Sequence, residues 1–559
     1  MAEQAGFNNP LRVTPLGGAA EIGKNCFLYE YDGKLMMVDC GLKFPEQDML
    51  GIDIVIPDFD LVTARQEDLV AVVLTHGHED HIGAVAYLLQ RLEHAEIYGT
   101  ELTLALLAAK LEEAGLENYN SHPVEPPAKL ELGPFQVQCL RVSHSIPDGL
   151  ALVIETPAAR VLHTGDFKFD PTPISSYMTD FAGLTQAGEE GVDLLMVDVT
   201  GVEKPGYTPS EQLVVKTLKG IIEEAPGRVI VATFASNLHR IGETMRLAVE
   251  SGRRTFLCGY SMEKNVRVAL RLGLIELPEH HLISREELSF LPTEEVLIMS
   301  TGSQGEPMSG LSLMAAGRHS EVQIQEGDTV VLSASPIPGN EALVYKVINS
   351  LFRAGARVLY DRLASVHVSG HAAREGIKLM CSLAKPNYAI PIHGEPRHSY
   401  LFKEMAVDEL GFLPEEVMIV RPGQVLELED GLVRFGEEIE ARSLLVDGLE
   451  ITAWNRSLFR ERLALAEEGV IIISAVVDGQ TGDPLVEVAV TGKGFSADEA
   501  RASALLTELS ANLSQIARDV AGKNYSSTTL QSRLVETARR FLTQTTGRRP
   551  VILPHVVEV

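Results

Sequence analysis

Apolar residues in the first two hundred positions fall into short β-type runs, separated by stretches with helical spacing. Residues 26–31 and 35–39 flank the turn Asp32-Gly33 and predict paired strands, and the Val-rich run 69–74 predicts a buried one. Helical spacing covers 82–92 and 101–111; strands are predicted again at 136–142, 151–155 and 160–163. From about 207 to 360 helix and strand succeed each other regularly: helix 212–224, strand 228–233, helix 238–250, strand 254–258. That alternation predicts a parallel sheet covered by helices. Its hinges are PGYTP at 205–209 and the stretch following SPIPGN at 335–340. Residues 421–462 read as a polar connector. The tail predicts strands at 470–477 and 485–490 and helices at 497–520 and 530–545. No internal repeat, heptad array or low-complexity tract stands out.

The length of 559 residues suggests three or four domains, and 45% hydrophobic with 22% charged residues excludes a wholly disordered chain. No apolar run approaches the ~18–20 residues of a membrane span, and the polar opening MAEQAGFNNP does not read as a signal peptide. Five scattered cysteines (Cys26, Cys40, Cys139, Cys258, Cys381), with no CxxC pair, argue against a disulfide framework. A reducing cytoplasm is the expected compartment. The net charge of −29 counts against sequence-blind binding of nucleic acid through bulk charge.

The strongest chemical signal is Thr75-His76-Gly77-His78-Glu79-Asp80-His81, directly after the apolar strand ending at Leu74. Three imidazoles and a carboxylate on one short loop cannot all be buried without a common partner. A divalent cation is such a partner; neutral imidazole and carboxylate suit zinc or manganese equally. Further candidate ligands stand at the exits of later predicted strands: His144 in RVSHSIPDG, Asp166 in VLHTGDFKFD with His163 beside it, and His393 in YAIPIHGEPRH.

These motifs resemble the two-metal site of the metallo-β-lactamase superfamily. LMVDVTG (Asp198), VHVSGH (His367, His371) and PIHGE (His393) resemble the motifs of its β-CASP branch. TFASNLHR, STGSQGEPM, SPIPGN and the C-terminal RRPVILPHVVEV are similar to those of the bacterial ribonuclease J family, from Leu16-Gly17-Gly18 to the last residue. The resemblance implies an α/β fold: a metallo-β-lactamase αββα sandwich, an inserted α/β β-CASP domain with a parallel sheet, and a small α/β C-terminal domain. The expected boundaries are 1–206 and 361–442 for the core, 207–360 for the insertion, 443–462 for a linker, and 463–559 for a self-association domain.

By the same resemblance His76, His78 and His144 hold one metal, Asp80, His81 and His393 the second, and Asp166 bridges both. Asp39 would fix the metal loop from behind, although alone it fits a turn residue equally well. Such a pair, Zn2+ or Mn2+, would generate a hydroxide that attacks phosphorus and leaves 5′-phosphate products. His371, oriented by Asp198, is the candidate proton donor to the leaving oxygen; the alternative is a histidine bonded only to its own loop. Amides around Val368, Ser369 and Gly370 could approach a phosphate as an anion nest, with His367 touching the same group. Ser236, Asn237 and Arg240, where a strand meets a helix, fit a 5′-phosphate pocket or an ordinary N-cap. Ser303 and Gln304 would line the same cleft. Asp447 fits a structural Ca2+ site or a simple Asp-Gly turn, and His555 reads as structural.

The function implied is 5′-to-3′ exonucleolytic and endonucleolytic cleavage of single-stranded RNA, preferring a 5′ monophosphate, in mRNA decay and rRNA maturation. A homodimer or larger homo-oligomer and RNA-decay protein partners go with it. Between 228 and 271, eight Lys/Arg against three Glu would give RNA a locally basic path. A small-ester or lactone hydrolase with the same metal pair, a non-catalytic RNA-processing scaffold, and DNA as substrate are the competing readings.

Overall fold

A computed structural model describes residues 7–559 except 47, 175–176, 338–339, 454 and 523–524. It comprises two compact units, the first built from residues up to 45 and from 53 to 453. Two twisted sheets form the heart of that unit. One, of eight strands, runs in the order Leu432–Glu438, Gln424–Glu429, Leu11–Gly17, Cys26–Tyr31, Lys34–Val38, Leu69–Val73, Ala95–Gly99, Tyr119–Pro123. The other has six: Pro386–Ile392, Val192–Asp198, Arg160–His163, Gly149–Glu155, Phe135–Val142, Ala128–Leu132. Alternate residues of both, such as Val13, Phe27, Met36 and Val73 against Val137, Leu152, Val161 and Met196, fill one shared core. Helices cover the outer faces: Val85–Leu89 and Glu101–Glu113 on the first sheet, Phe181–Glu190, Arg374–Ala384 and Pro396–Leu410 on the second. The result is the expected αββα sandwich.

The insertion is a five-stranded, all-parallel sheet ordered Arg254–Cys258, Val296–Ser300, Val229–Ala232, Thr329–Leu332, Arg357–Leu359. Each strand is followed by helix, as the regular alternation predicts. In the second unit, helices Glu499–Val520 and Ser527–Thr546 cover one face of a sheet ordered Ala489–Lys493, Val470–Val477, Val551–Glu558. Among the described residues no helix is long and apolar enough to cross a membrane.

Three local expectations need correction. The helix predicted over 82–92 is two short ones, Glu79–Ile82 and Val85–Leu89, because the Ala84 amide leaves the helix to bond the Cys40 carbonyl at 2.9 Å. The polar connector 421–462, including the linker 443–462, is largely structured. Gln424–Glu429 pairs with Leu11–Gly17, and Ser443–Asp447 lies between Ile54–Pro57 and Glu450–Ala453. Charged outward residues in these strands mask the buried Val425, Leu426, Leu428, Leu444 and Leu445. The strand expected at 485–490 forms at Ala489–Lys493.

Strand ends place the chemistry. Val192–Asp198 and Pro386–Ile392 run parallel with Asp198 opposite Ile392, so Asp198 and His393 leave the sheet side by side. On the other sheet the Asp39 amide bonds the Val73 carbonyl at 2.9 Å, bringing Asp39 beside the loop that begins at Thr75.

Candidate metal centre

At this rim one carboxylate oxygen is shared. Asp166 Oδ2 lies 3.2 Å from His81 Nε2 and 3.7 Å from Nε2 of each of His76, His144 and His393. Two groups of ligand atoms, each within 4.8 Å of one another, meet there: His76, His78, His144 and Asp166, and Asp80, His81, Asp166 and His393. His78 Nδ1 stands 3.0 Å from His76 Nε2 and 3.2 Å from His144 Nε2, while His393 Nε2 stands 2.9 Å from Asp80 Oδ2.

The second nitrogen of most rings is already engaged. His144 Nδ1 donates to the Gly370 carbonyl at 2.8 Å, and His81 Nδ1 to Asp39 Oδ2 at 2.7 Å. His76 Nδ1 meets Thr75 Oγ1 at 3.1 Å, and His393 Nδ1 meets Thr200 Oγ1 at 2.8 Å. These bonds turn the Nε2 atoms of His76, His81, His144 and His393 toward the centre. Imidazole lone pairs converging on a carboxylate are a donor set for a divalent cation, and the residues present fit one. Two backbone positions enforce the approach. A Cβ at residue 41 would stand 1.6 Å from the Asp80 carbonyl oxygen, and one at residue 370 would stand 2.7 Å from His144 Cε1; both positions are glycine. Asp39 and His393 themselves adopt left-handed backbone, φ 60° and 52°, as strained residues at functional loops often do.

Electrostatics divide the two groups. Burial pushes His76 and His144 well below the ordinary imidazole range, and His78 down to about 4, which leaves all three neutral. Burial acts in the same direction on His81 and His393, but the carboxylates around them prevail. His81 rises well above its usual value, and His393 rises to about 9 beside Asp166 and Asp80. Asp80 and Asp166 are held well below the carboxylate range, the neighbouring imidazoles outweighing burial.

Next to Asp166, His371 Nδ1 bonds Asp198 Oδ2 at 2.7 Å, and the His371 ring stacks on His393 with centroids 5.1 Å apart. Asp198 Oδ1 in turn accepts the amide and hydroxyl of Thr200 at 2.9 and 2.7 Å.

Comparison with known proteins gives this arrangement a family. Residues 20–231 match the metallo-beta-lactamase superfamily, 226–351 the ribonuclease J beta-CASP domain, 356–420 a Zn-dependent metallo-hydrolase RNA specificity domain, and 457–559 the ribonuclease J C-terminal domain. The chain is 41% identical to ribonuclease J of Thermus thermophilus over 99% of its own length and 96% of that protein. It is 38% identical to ribonuclease J 1 of Streptococcus pyogenes, covering 98% of each chain. The chain belongs to the ribonuclease J family. A solved Enterococcus faecalis protein of unknown function, 17% identical, shares the fold with a TM-score of 0.54, covering 75% of this chain and all of that one. Membership and donor set together make this a divalent-metal-binding protein.

Other expected family-motif residues stand elsewhere. Asn237 is an N-cap: its side chain accepts the Arg240 amide at 3.2 Å. Arg240 is 1% exposed and wholly engaged with protein groups, so it offers no face to a phosphate. This corrects its assignment to a 5′-phosphate pocket. Ser236 is half-buried beside them. Ser303 is buried, and the Gln304 side chain donates to the Ser335 carbonyl and accepts the Ile337 amide at 3.0 and 2.7 Å. Val368 is buried, and Ser369 Oγ accepts the His371 amide at 3.1 Å. Asp447 ends the strand Ser443–Asp447, outside the ligand groups found among the described residues. His163 faces the core, 3.0 Å from the Tyr29 hydroxyl.

The basic stretch 228–271 is largely cancelled. Arg228 pairs with Asp328, Arg246 with Glu243 and Glu250, Arg254 with Glu287, and Lys264 with Glu113. The sequence motifs contain Thr75 and Thr200 but give them no part, and they leave out Asn25. Asn25 Nδ2 lies 3.0 Å from His81 Nε2 and donates to the Asp80 carbonyl. Thr75 opens the THGHEDH run and Thr200 lies within LMVDVTG, whereas Asn25 carries no local signal and its part depends on position alone.

Proposed function

We propose that this chain hydrolyses phosphodiester bonds of RNA at the centre organised by Asp166. Family membership makes it a metal-dependent hydrolytic ribonuclease. The single observation that carries the site assignment is Asp166 Oδ2 standing 3.2–3.7 Å from four imidazole nitrogens. His76, His78 and His144 would hold one ion and Asp80, His81 and His393 another, with Asp166 shared; Zn2+ and Mn2+ both suit these donors. Ions bound there supply positive charge against the phosphate and lower the pKa of water, in favourable cases to about 7.

The protein's own groups do the rest. Asp39 fixes the tautomer of His81, and the Gly370 carbonyl fixes that of His144. Asp198 accepts a hydrogen bond from His371 Nδ1–H, so Nε2–H of the protonated ring is the donor that hands its proton to the departing 3′ oxygen, leaving phosphate on the downstream 5′ end. Amides of the loop at Ser369-Gly370 are the candidate contacts for a non-bridging oxygen, and Ser236 for a 5′ phosphate. The reading extends to exonucleolytic and endonucleolytic action on single-stranded RNA in cytoplasmic mRNA decay and rRNA maturation. Self-association is supported by the uncovered face of the C-terminal sheet, where Ile472, Leu553 and Val557 are exposed.

A time course on end-labelled RNA carrying 5′ monophosphate, triphosphate or hydroxyl tests this. Early mononucleotide release from the monophosphate RNA alone is expected. Turnover of a chromogenic ester with RNA left intact would overturn it.

A further inference from the structure

Arg240 is the largest fully buried side chain of the molecule among the described residues, and its partners assign it work other than gripping phosphate. It lies in the first turn of helix Leu238–Glu250, while Glu211 opens helix Glu211–Glu224; both belong to the inserted stretch. The guanidinium forks onto Glu211, Nη2 to Oε1 at 2.7 Å and Nε to Oε2 at 3.3 Å. Its remaining donors reach across to the loop bearing His371. Nη1 faces His367 Nδ1 at 2.9 Å and donates to the Ser333 carbonyl at 2.7 Å; Nη2 approaches the Val368 carbonyl at 3.4 Å. Ser333 Oγ donates to the Val366 carbonyl at 2.6 Å, so three consecutive loop residues are tied from behind.

The other side of Glu211 leads back to the metal loops. Its amide donates to Asp170 Oδ2 at 3.1 Å, and Lys168 Nζ lies 3.7 Å from Glu211 and 3.9 Å from Asp170. The Lys168 amide bonds the Ser143 carbonyl at 2.7 Å, one residue before His144. Two cations and two anions, all buried, thus join the Asp166 loop, the His144 loop and the 367–371 loop. Only a planar fork with several donors satisfies this set, which a lysine ammonium cannot do.

We propose that Arg240 and Glu211 are a positioning pair that holds the 367–371 loop in register, and so sets where His371 and the Gly370 carbonyl stand. This rests on the ribonuclease reading above. Neither residue touches substrate. The pair acts through the loop, where a misplacement of about 1 Å is enough to cost about 10²-fold in rate.

Arg240→Lys keeps the charge and loses the fork. Its kcat is expected to fall about ten- to a hundredfold on 5′-monophosphate and 5′-hydroxyl RNA alike, with KM within about twofold and metal content unchanged. Glu211→Gln should do the same, and combining the two should cost little more than the worse one alone. The Glu211→Leu/Arg240→Met pair removes both charges together, so it guards against misfolding; it should melt cooperatively yet turn over slowly. Wild-type kcat in that folded double variant overturns the proposal. So does a loss confined to the 5′-monophosphate substrate and expressed in KM, which would make Arg240 a phosphate anchor. Wild-type protein assayed alongside separates the layers, since a wild type inert on RNA overturns the underlying reading and the proposal with it.

Discussion

Around Asp166, four imidazole nitrogens stand within 3.7 Å of one carboxylate oxygen; behind the neighbouring loop, Lys168 and Arg240 share Asp170 and Glu211. Both clusters are buried, yet they solve burial differently. The second closes its own charge, two against two, and Arg240 spends its donors on protein acceptors. The first turns four Nε2 atoms on one carboxylate, because Thr75, Gly370, Asp39 and Thr200 hold the opposite nitrogens, and protons on His81 and His393 answer that carboxylate where no cation does. Charge closed by side chains alone therefore separates a structural polar cluster from one whose protons a metal ion can replace.

The largest break in this contrast is His81→Ala. It removes the proposed ligand whose Nδ1 is anchored by Asp39, and RNA cleavage is expected to fall by about 10³-fold or more, over 4 kcal/mol of barrier. Metal analysis should show less bound ion while the circular dichroism spectrum is retained. Metal-free His81→Ala protein cutting at the wild-type rate would refute the assignment.

Glu211→Gln attacks the self-contained cluster. It leaves Arg240 and Lys168 with one buried carboxylate, Asp170, and breaking such a pair costs about 3–5 kcal/mol. The loss should register in chemical denaturation of metal-loaded and metal-free protein alike. A loss seen only in the metal-loaded form would mean that the two clusters are not separate.

The gathering of imidazoles and carboxylates was legible because they crowd into His76–His81 and recur at strand exits, where a parallel arrangement gathers loops on one rim. The two-layer core followed from alternating runs in the same way. Burial was not legible. Arg240 looks like a phosphate contact from its place after a strand and at the head of a helix, and nothing local says that Glu211, twenty-nine residues earlier, neutralises it. The split at Ala84 and the strands inside 421–462 were hidden for a related reason: each is fixed by a partner distant in sequence, Cys40 in one case and Leu11–Gly17 in the other.

Metal removal sharpens the contrast through pH. In metal-free protein, Asp166 and Asp80 overcome burial and raise His393 to about 9, and His81 rises also. A histidine with a folded value above its unfolded ~6.5 stabilises the fold fully below that pH and stops doing so as pH climbs through the folded value. Chelated protein should therefore lose melting temperature between about pH 6.5 and 9. Metal-loaded protein should lack that slope, because ions take the place of those protons. At a hundred times its dissociation constant, one ion adds about 2.7 kcal/mol. A chelated protein with a flat profile over that range would show that carboxylates and imidazoles do not compensate each other as the geometry implies.

The smallest effect tests whether burial, rather than pairing as such, is what distinguishes these clusters. Arg246 sits between Glu243 and Glu250 on helix Leu238–Glu250, the same helix as Arg240, with 48% of its side chain in solvent. Its partners are as close in type as those of Arg240, but water screens them, and such a pair contributes about 0–1 kcal/mol. Arg246→Ala is expected to shift the denaturation midpoint within that range and leave RNA turnover unchanged. Two arginines less than two turns apart on one helix would then differ several-fold in consequence, for a reason read from solvent access alone. An Arg246→Ala penalty as large as that of Glu211→Gln would remove the basis for treating the buried set as special.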